Sequence, residues 1–405
     1  MFNRLYTTLA ILKYIIMKKL LISFIALAGI ANVYAQANLQ EFEKKLGILN
    51  EEIFKAYQLA DYRLAENKSR QVIKLYSQQS PEVKDAYKDI IGICYYQLGS
   101  IQSKLNKKNQ AIKNLEQACE NGFQKYMFLI KDPDWDNVRT DKRFKTIVAK
   151  LRETGDYIYM LQKASPYIRN HQTDTLPRHT YLNPNHKYLV KVRQYFKLDS
   201  VAGSGDEISK IKNILTHIHN TIRHDGASPN PSGNSIAMAE ACKDGSRGLN
   251  CGGLAAVLED CYLAMGFKAK LVSCMPKVYD SECHSINTVY SNTLDKWIWM
   301  DPTNNAWVTD ENGQLLGISE VRERLRANRP LKLNKEANWN NLNQLTKEGY
   351  LDEYMSKNLY CFLSTAGKHT ILLTPPGFTV PENYPTKAEY VVSDDEWFWQ
   401  SPYQN

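Results

Sequence analysis

Between Gly252 and Met265 the apolar residues Leu254, Val257, Leu258, Cys261 and Met265 fall on one helical face, and Gly266 follows as a left-handed stop. Asn250 is a good N-cap for this helix, which places Cys251 in its first turn. Beyond the helix, Phe267 to Ser273 reads as a strand. His284 to Tyr290 and Trp297 to Asp301 read as two more, joined by the polar turn Ser291 to Lys296. Pro302 ends the last strand because it cannot donate to a ladder. A turn closing near Thr293 sets residues 286 and 301 roughly opposite, so His284 becomes the diagonal neighbour of Asp301, within side-chain reach.

Upstream, Asp206 to Arg223 is amphipathic, with Ile211, Ile214, Leu215, Ile218 and Ile222 inward, and the Gly-, Pro-, Ser- and Asn-rich stretch 226–234 reads as a loop near the cleft. Downstream, Asn312-Gly313 predicts a hairpin between 306–308 and 314–316, and Ser319 is expected to cap a helix to about Arg326. The aromatic tail includes strand-like Thr370 to Leu373 and Tyr390 to Val392 and ends in Trp397-Phe398-Trp399. These strands are expected to complete or flank the sheet.

Residues 38–164 are helical in pattern and carry a recurrence at a shift of 39. Tyr57-Gln58-Leu59 returns as Tyr96-Gln97-Leu98, Asn67-Lys68 as Asn106-Lys107, and Gln71 with Ile73-Lys74 as Gln110 with Ile112-Lys113. The second copy resembles a tetratricopeptide repeat, with Gly99 and Ala118 where two helices need a small residue. A helix from Asp141, with Phe144, Ile147, Val148 and Leu151 on one face, is expected to cap the stack. Such a domain serves as a spacer or docks a protein partner. The expected boundaries are 1–35 for upstream residues and a signal peptide, 36–164 for the helical domain, 165–338 for a catalytic domain and 339–405 for a β-rich extension packed on it.

Met17-Lys18-Lys19 followed by Leu20 to Gly29 has the charged start and short apolar core of a signal peptide, with cleavage expected after Ala35. Export to the periplasm or beyond follows, without a stable membrane span after cleavage. Removing residues 1–35 deletes Arg4, Lys13, Lys18 and Lys19 and no acidic residue, so the net charge falls from +8 to +4. Nothing left forms a basic block, and nucleic acid is not an expected partner. Among the eight cysteines, Cys242, Cys274 and Cys283 are disulfide candidates. Zinc on Cys242, Cys251, Cys274, Cys283 and His284 is rejected on spacing, since no close Cys-x-x-Cys pair is present. His217 and His219, two apart on a helix, cannot share a ligand face; with His224 they are expected to be solvated or capping. Asp132 to Asp136 imitates a calcium loop but has Asn137 and Arg143 where glycine and glutamate belong, and is expected to be an inter-helix turn. No cofactor or metal is called for.

Cys251, His284 and Asp301 therefore stand at a helix start, a strand start and a strand end. A thiol is a useful nucleophile only as thiolate, which a helix N-terminus and an imidazole favour, and a carboxylate holds the imidazole in the right tautomer. Taken with Leu254-Ala255, with Gly266 to Lys270 and with Trp297-Ile298-Trp299-Met300-Asp301-Pro302-Thr303, this stretch resembles the transglutaminase-like superfamily of cysteine enzymes over roughly Asp206 to Leu325. The resemblance implies an α+β domain of the papain and transglutaminase-like kind, with the nucleophile's helix packed on an antiparallel sheet. It implies Cys251 as nucleophile, His284 as general base and acid, and Asp301 as orienter, acting on amide bonds of a peptide or protein. Lys268, Lys270 and Ser285-Ile286 depart from the family's pattern, and these departures are expected to touch substrate fit. Acidic calcium loops of the kind animal cross-linking members use are missing, which favours hydrolysis over transamidation. The rival reading is a non-catalytic envelope adaptor that binds a partner through the helical repeats.

Overall fold

The computed structural model describes residues 33–169, 176–279, 282–385 and 387–402. All but the last three residues of the expected signal peptide lie outside them. No described helix is long and apolar enough to cross a membrane. The chain divides into two compact units, 1–156 and 157–405.

The first unit is helical: α1 (Val33–Gln58), α2 (Tyr62–Ser77), α3 (Pro81–Ala86), α4 (Lys88–Lys104), α5 (Lys108–Glu120), α6 (Tyr126–Lys131) and α7 (Lys142–Gly155). Helices α1 and α2 form one hairpin and α4 and α5 another, turning through Ala60 and Asn106, both at positive φ. These turns are 46 residues apart, whereas the sequence recurs at 39. Asn67-Lys68 accordingly lies inside α2, while Asn106-Lys107 makes a turn. The mismatch of seven residues is two helical turns, which leaves apolar residues on the same face, so a recurrence of face pattern imitates a repeat of structure. The second hairpin closes on Trp135, fully buried in a 3₁₀ turn (Pro133–Val138) where an inter-helix turn was expected. A Cβ on Gly99 would stand 2.6 Å from the Trp135 ring and 3.0 Å from the Ala111 carbonyl oxygen.

In the second unit come α8 (Tyr157–Lys163), α9 (Lys187–Tyr195), α10 (Leu198–Ala202), α11 (Glu207–Thr221), α12 (Ser235–Ala241) and α13 (Cys251–Ala264). The strands β1 (Ala269–Met275), β2 (His284–Ser291) and β3 (Lys296–Met300) follow, then β4 (Val308–Thr309), α14 (Ile318–Arg326), β5 (Lys332–Leu333), β6 (Asn338–Trp339) and β7 (Asn343–Gln344). A π-helix (Glu348–Met355) runs into α15 (Ser356–Asn358), and β8 (Cys361–Ala366), β9 (His369–Leu373), β10 (Tyr390–Val392) and α16 (Asp395–Phe398) complete the order. The main sheet is ordered β10-β9-β8-β1-β2-β3, antiparallel except for β9 with β10. The fold is α+β, as expected.

Alternate residues of these strands feed two cores. Ala269, Val289, Ile298 and Met300 pack with α9, α11 and α13 on one face, while Val272, Ile286 and Trp299 pack with α8, α14 and the π-helix on the other. The C-terminal strands are more than a packed extension, because β8 pairs directly with β1 inside the sheet. Helix α8, which falls within the expected helical domain 36–164, belongs to the second unit. Its Leu161 and the following Ala164 are buried there, and Arg326 donates to both of their carbonyl oxygens at 2.9 and 2.8 Å. Helix α14 begins after Gly317, not Ser319, because the Glu320 carboxylate accepts from the Gly317 N–H. The hairpin expected around Asn312-Gly313 forms, with Leu316 N–H bonded to Val308 O. All eight cysteines carry free thiols, so the disulfide candidates Cys242, Cys274 and Cys283 do not pair.

Lys270 departs from its expected role in substrate fit. It is buried, donates to the Phe398 carbonyl oxygen at 2.9 Å and lies 4.4 Å from the Trp297 ring centre, where burial lowers its pKa to about 7. It therefore ties the aromatic tail to β1.

Gly99→Val should destabilise the protein by about 1–3 kcal/mol through overpacking against Trp135. Gly47→Ala, at an exposed position of α1 with no atom within 4 Å of the added Cβ, should instead stabilise it by about 1 kcal/mol. Urea unfolding of the full chain, followed through the transition of its helical part, measures both. Equal effects of the two substitutions would contradict the packing described here.

Candidate active site

Helix α13 starts where the sequence signals that it should. The Asn250 side chain accepts from the Gly253 N–H at 3.1 Å, and Cys251 is the first helical residue. The first N–H groups of a helix have no intrahelical acceptor, so those of Cys251 and Gly252 remain free to stabilise negative charge. The loop 226–234 does reach this point. Asn230 donates to Asn250 Oδ1 at 2.7 Å and accepts from the Asn250 N–H at 2.9 Å, a reciprocal amide pair. Gly253 permits that approach, since a Cβ there would come within 2.6 Å of Asn230 Oδ1.

The β2–β3 pairing sets Asn287 against Met300, and one step further along the same register Ile286 faces Asp301. His284 is consequently diagonal to Asp301. Its Nε2 lies 2.8 Å from Asp301 Oδ2, with the ring 1% and the carboxylate 0% exposed. An ionised carboxylate only accepts, so Nε2 carries the proton. Cys251 helps to raise the same imidazole, and Nδ1 is the nitrogen left to face it. The structure thus brings together all three residues singled out in the sequence.

The charges in this cluster depend on one another. Burial pushes the Cys251 thiol up, but the hydrogen bond and positive charge of His284, helped by the Ser285 N–H, outweigh it and hold the thiol below its ordinary range. Burial would lower His284, yet the Asp301 charge and hydrogen bond raise it above the usual imidazole range. Burial would raise Asp301, but the His284 charge and hydrogen bonds from His284, Asn304 and Tyr350 keep it low. These directions favour charge separation between thiol and imidazole, with the carboxylate behind them.

Asp301 has partners that sequence reading missed. Oδ2 also accepts from Asn304 Nδ2 at 2.9 Å and from the Tyr350 hydroxyl at 2.6 Å, while Oδ1 accepts from the N–H groups of Thr303 and Asn304 at 2.9 and 3.3 Å. Asn304 was within reach of the sequence, because Asp-Pro-x-Asn after a strand is turn chemistry. Tyr350 and Tyr354, whose ring centre is 5.2 Å from that of His284, left no signal, being about fifty and seventy residues from their partners. His219 corrects another expectation. It is buried, with Nδ1 3.0 Å from Pro302 O and Nε2 3.0 Å from Asn338 Oδ1, where it anchors the turn after Asp301. His224 is half-buried and accepts from Trp339 Nε1. Ser285, another departure from the family's pattern, is buried, with its Oγ 2.9 Å from that of Ser273 on the neighbouring strand. Among the described residues no group of three or more His, Cys, Asp and Glu side chains is placed to hold a metal ion.

Residues 195–302 match the family model of the transglutaminase-like superfamily, so this part of the chain is a transglutaminase-like domain. No curated protein matches the chain. A solved structure described as a "putative cysteine protease" from Cytophaga hutchinsonii is similar at 17% identity and a TM-score of 0.23, over 44% of this chain and 50% of that one. The chain spans about half the length of that relative, and a likeness of this depth says nothing about activity.

Gly253→Ala should push Asn230 from the helix start while leaving Cys251 in place. The expected result is an alkylation rate at Cys251 lower by about tenfold, about 1.4 kcal/mol, with little loss of thermal stability. Iodoacetamide kinetics read by mass spectrometry test this. An unchanged rate would remove the Asn230–Asn250 pair from any part in preparing the thiol.

Proposed function

We propose that this protein is an exported cysteine enzyme that cleaves amide bonds of peptides or proteins by acyl transfer through Cys251, His284 and Asp301. The observation that carries the reading is the buried His284–Asp301 pair at 2.8 Å, coupled to a thiol at a helix start, with thiol and imidazole displaced in opposite directions. The family match at 195–302 supports a cysteine-enzyme ancestry for that arrangement. Export rests on the leader pattern beginning at Met17.

In this mechanism the Cys251 thiolate attacks the amide carbonyl carbon and forms a C–S bond. The carbonyl oxygen takes up the negative charge near the Cys251 N–H. His284 delivers its proton to the leaving nitrogen, the C–N bond breaks, and a thioester and a free amine result. Neutral His284 then accepts a proton from water as its oxygen attacks the thioester, which releases the acid and restores the thiolate–imidazolium pair. An amine in place of water would give transamidation, and hydrolysis is the favoured outcome. Asp301 stays ionised throughout, holding the ring and its charge. The helical unit serves as a spacer or a docking module for a protein partner.

Alkylation by iodoacetamide tests the chemistry without a known substrate. A thiol with a lowered pKa stays reactive until the pH falls below that pKa, so Cys251 should label in preference to the other cysteines at a pH below the ordinary thiol range. The buried thiols of Cys94, Cys261 and Cys274, all pushed up by burial, should not label there. His284→Ala should cut labelling at pH 6 by about tenfold or more by removing the positive partner. Equal labelling of several cysteines, indifferent to His284, would favour the inert adaptor instead. For the reaction itself, cell-wall and protein digests incubated with enzyme and a primary amine distinguish products by mass. Water uptake indicates hydrolysis, amine incorporation indicates transfer, and Cys251→Ala should abolish either.

A further inference from the structure

The π-helical turn Glu348–Met355 lies outside the matched stretch 195–302, yet it supplies two side chains to the cluster. Residues four apart share a helical face, and here they are Tyr350 and Tyr354. The buried Tyr350 hydroxyl donates to Asp301 Oδ2 at 2.6 Å, and its ring meets Trp299 edge-on at 6.2 Å, which fixes its direction. The Tyr354 ring stands at 62° to His284 with centres 5.2 Å apart. Tyr354 is partly exposed, whereas the imidazole against it has almost no exposure. A π-turn is rare, and it recurs where a side chain must be re-aimed for function.

We propose that this segment completes the site, with Tyr350 as a positioning residue that keeps Asp301 ionised and oriented, and Tyr354 as a cover that keeps water from the His284–Asp301 bond. The proposal rests on the cysteine-enzyme reading above and assigns the work to residues beyond the transglutaminase-like stretch. Asp301 has no water to fall back on, so its Oδ2 depends on three protein donors, one of them Tyr350. Burial and the neighbouring carboxylate keep the phenol protonated and therefore a donor. Other titratable groups facing the cluster are Cys274 on β1 and Cys283 before β2, both pushed up by burial, and Glu282, which lies 3.8 Å from Lys357 at the rim.

Losing the Tyr350 hydroxyl makes Asp301 easier to protonate, and the imidazolium then loses its counter-charge at a higher pH. In the full chain, Tyr350→Phe should move the acid limb of Cys251 alkylation by iodoacetamide up by about one pH unit. That is up to about a tenfold loss along the acid limb with the rate at pH 9 unchanged. The pH 9 rate reports folding, and a purely structural role would lower both rates or neither. For Tyr354 the readout is the low-field proton resonance of His284 Nε2–H. It should persist in the wild type and in Tyr354→Phe, and vanish by exchange with water in Tyr354→Leu. A reactive wild type whose profile Tyr350→Phe leaves in place overturns the role of Tyr350 alone. A resonance equally persistent in Tyr354→Leu overturns the cover. A wild type without selective labelling at Cys251 overturns the enzyme reading and this inference together.

Discussion

A carboxylate with no exposure to solvent is the constraint around which the second unit is organised. Taking Asp301 out of water would cost several kcal/mol if nothing replaced its hydration. Five hydrogen bonds do so, and they come from three places: the imidazole at the start of β2, the turn after β3 and the π-helix near residue 350. Each donor is held by something else. His219 on α11 grips the Pro302 carbonyl, Trp299 directs Tyr350, and the β2–β3 register places His284. A carboxylate kept charged in this way raises the imidazole, and the imidazolium in turn lowers the thiol. The reactivity proposed for Cys251 thus begins at an atom that never meets substrate.

The nucleophile's helix solves a different problem, that of ending a loop and beginning a helix at one fixed point. Asn250 caps the helix, Asn230 clamps the cap, and Gly253 leaves room for the clamp. The partly buried Cys251 therefore sits where first-turn N–H groups, a neighbouring loop and the imidazole meet. Core packing of Leu254, Val257, Leu258 and Cys261 holds the remainder of α13 rigid behind it. Precision at the thiol comes from that rigidity, because a site built on regular elements is held more tightly than one built on loops.

The helical unit illustrates how a sequence pattern can be right in kind and wrong in phase. The recurrence pointed to a helical-hairpin domain, and the unit holds the hairpins α1–α2 and α4–α5, with Gly99 against Trp135 and Ala118 fully buried. The recurrence that suggested them nevertheless equates the middle of α2 with the turn before α5. Helical periodicity constrains which face is apolar far more strongly than where a helix ends, and a slip of two turns leaves that face unchanged.

What the sequence determined by itself was local and short-ranged. The Asn250 cap, the apolar face of α13, the turn between β2 and β3 and the diagonal of His284 to Asp301 all follow from residues within about twenty positions of one another. Backbone geometry over such distances leaves few alternatives. The tertiary structure decided whatever required segments to meet from far away. Tyr350 came to Asp301, β8 paired with β1 in the sheet's interior, α8 joined the second unit, and Lys270 became a buried anchor for the aromatic tail. His219 was misjudged for the same reason, since its helical spacing excluded a shared metal face but could not reveal the carbonyl waiting across the core. Long-range pairing is set by the packing of whole cores, and a linear pattern records which residues must be buried without recording against what.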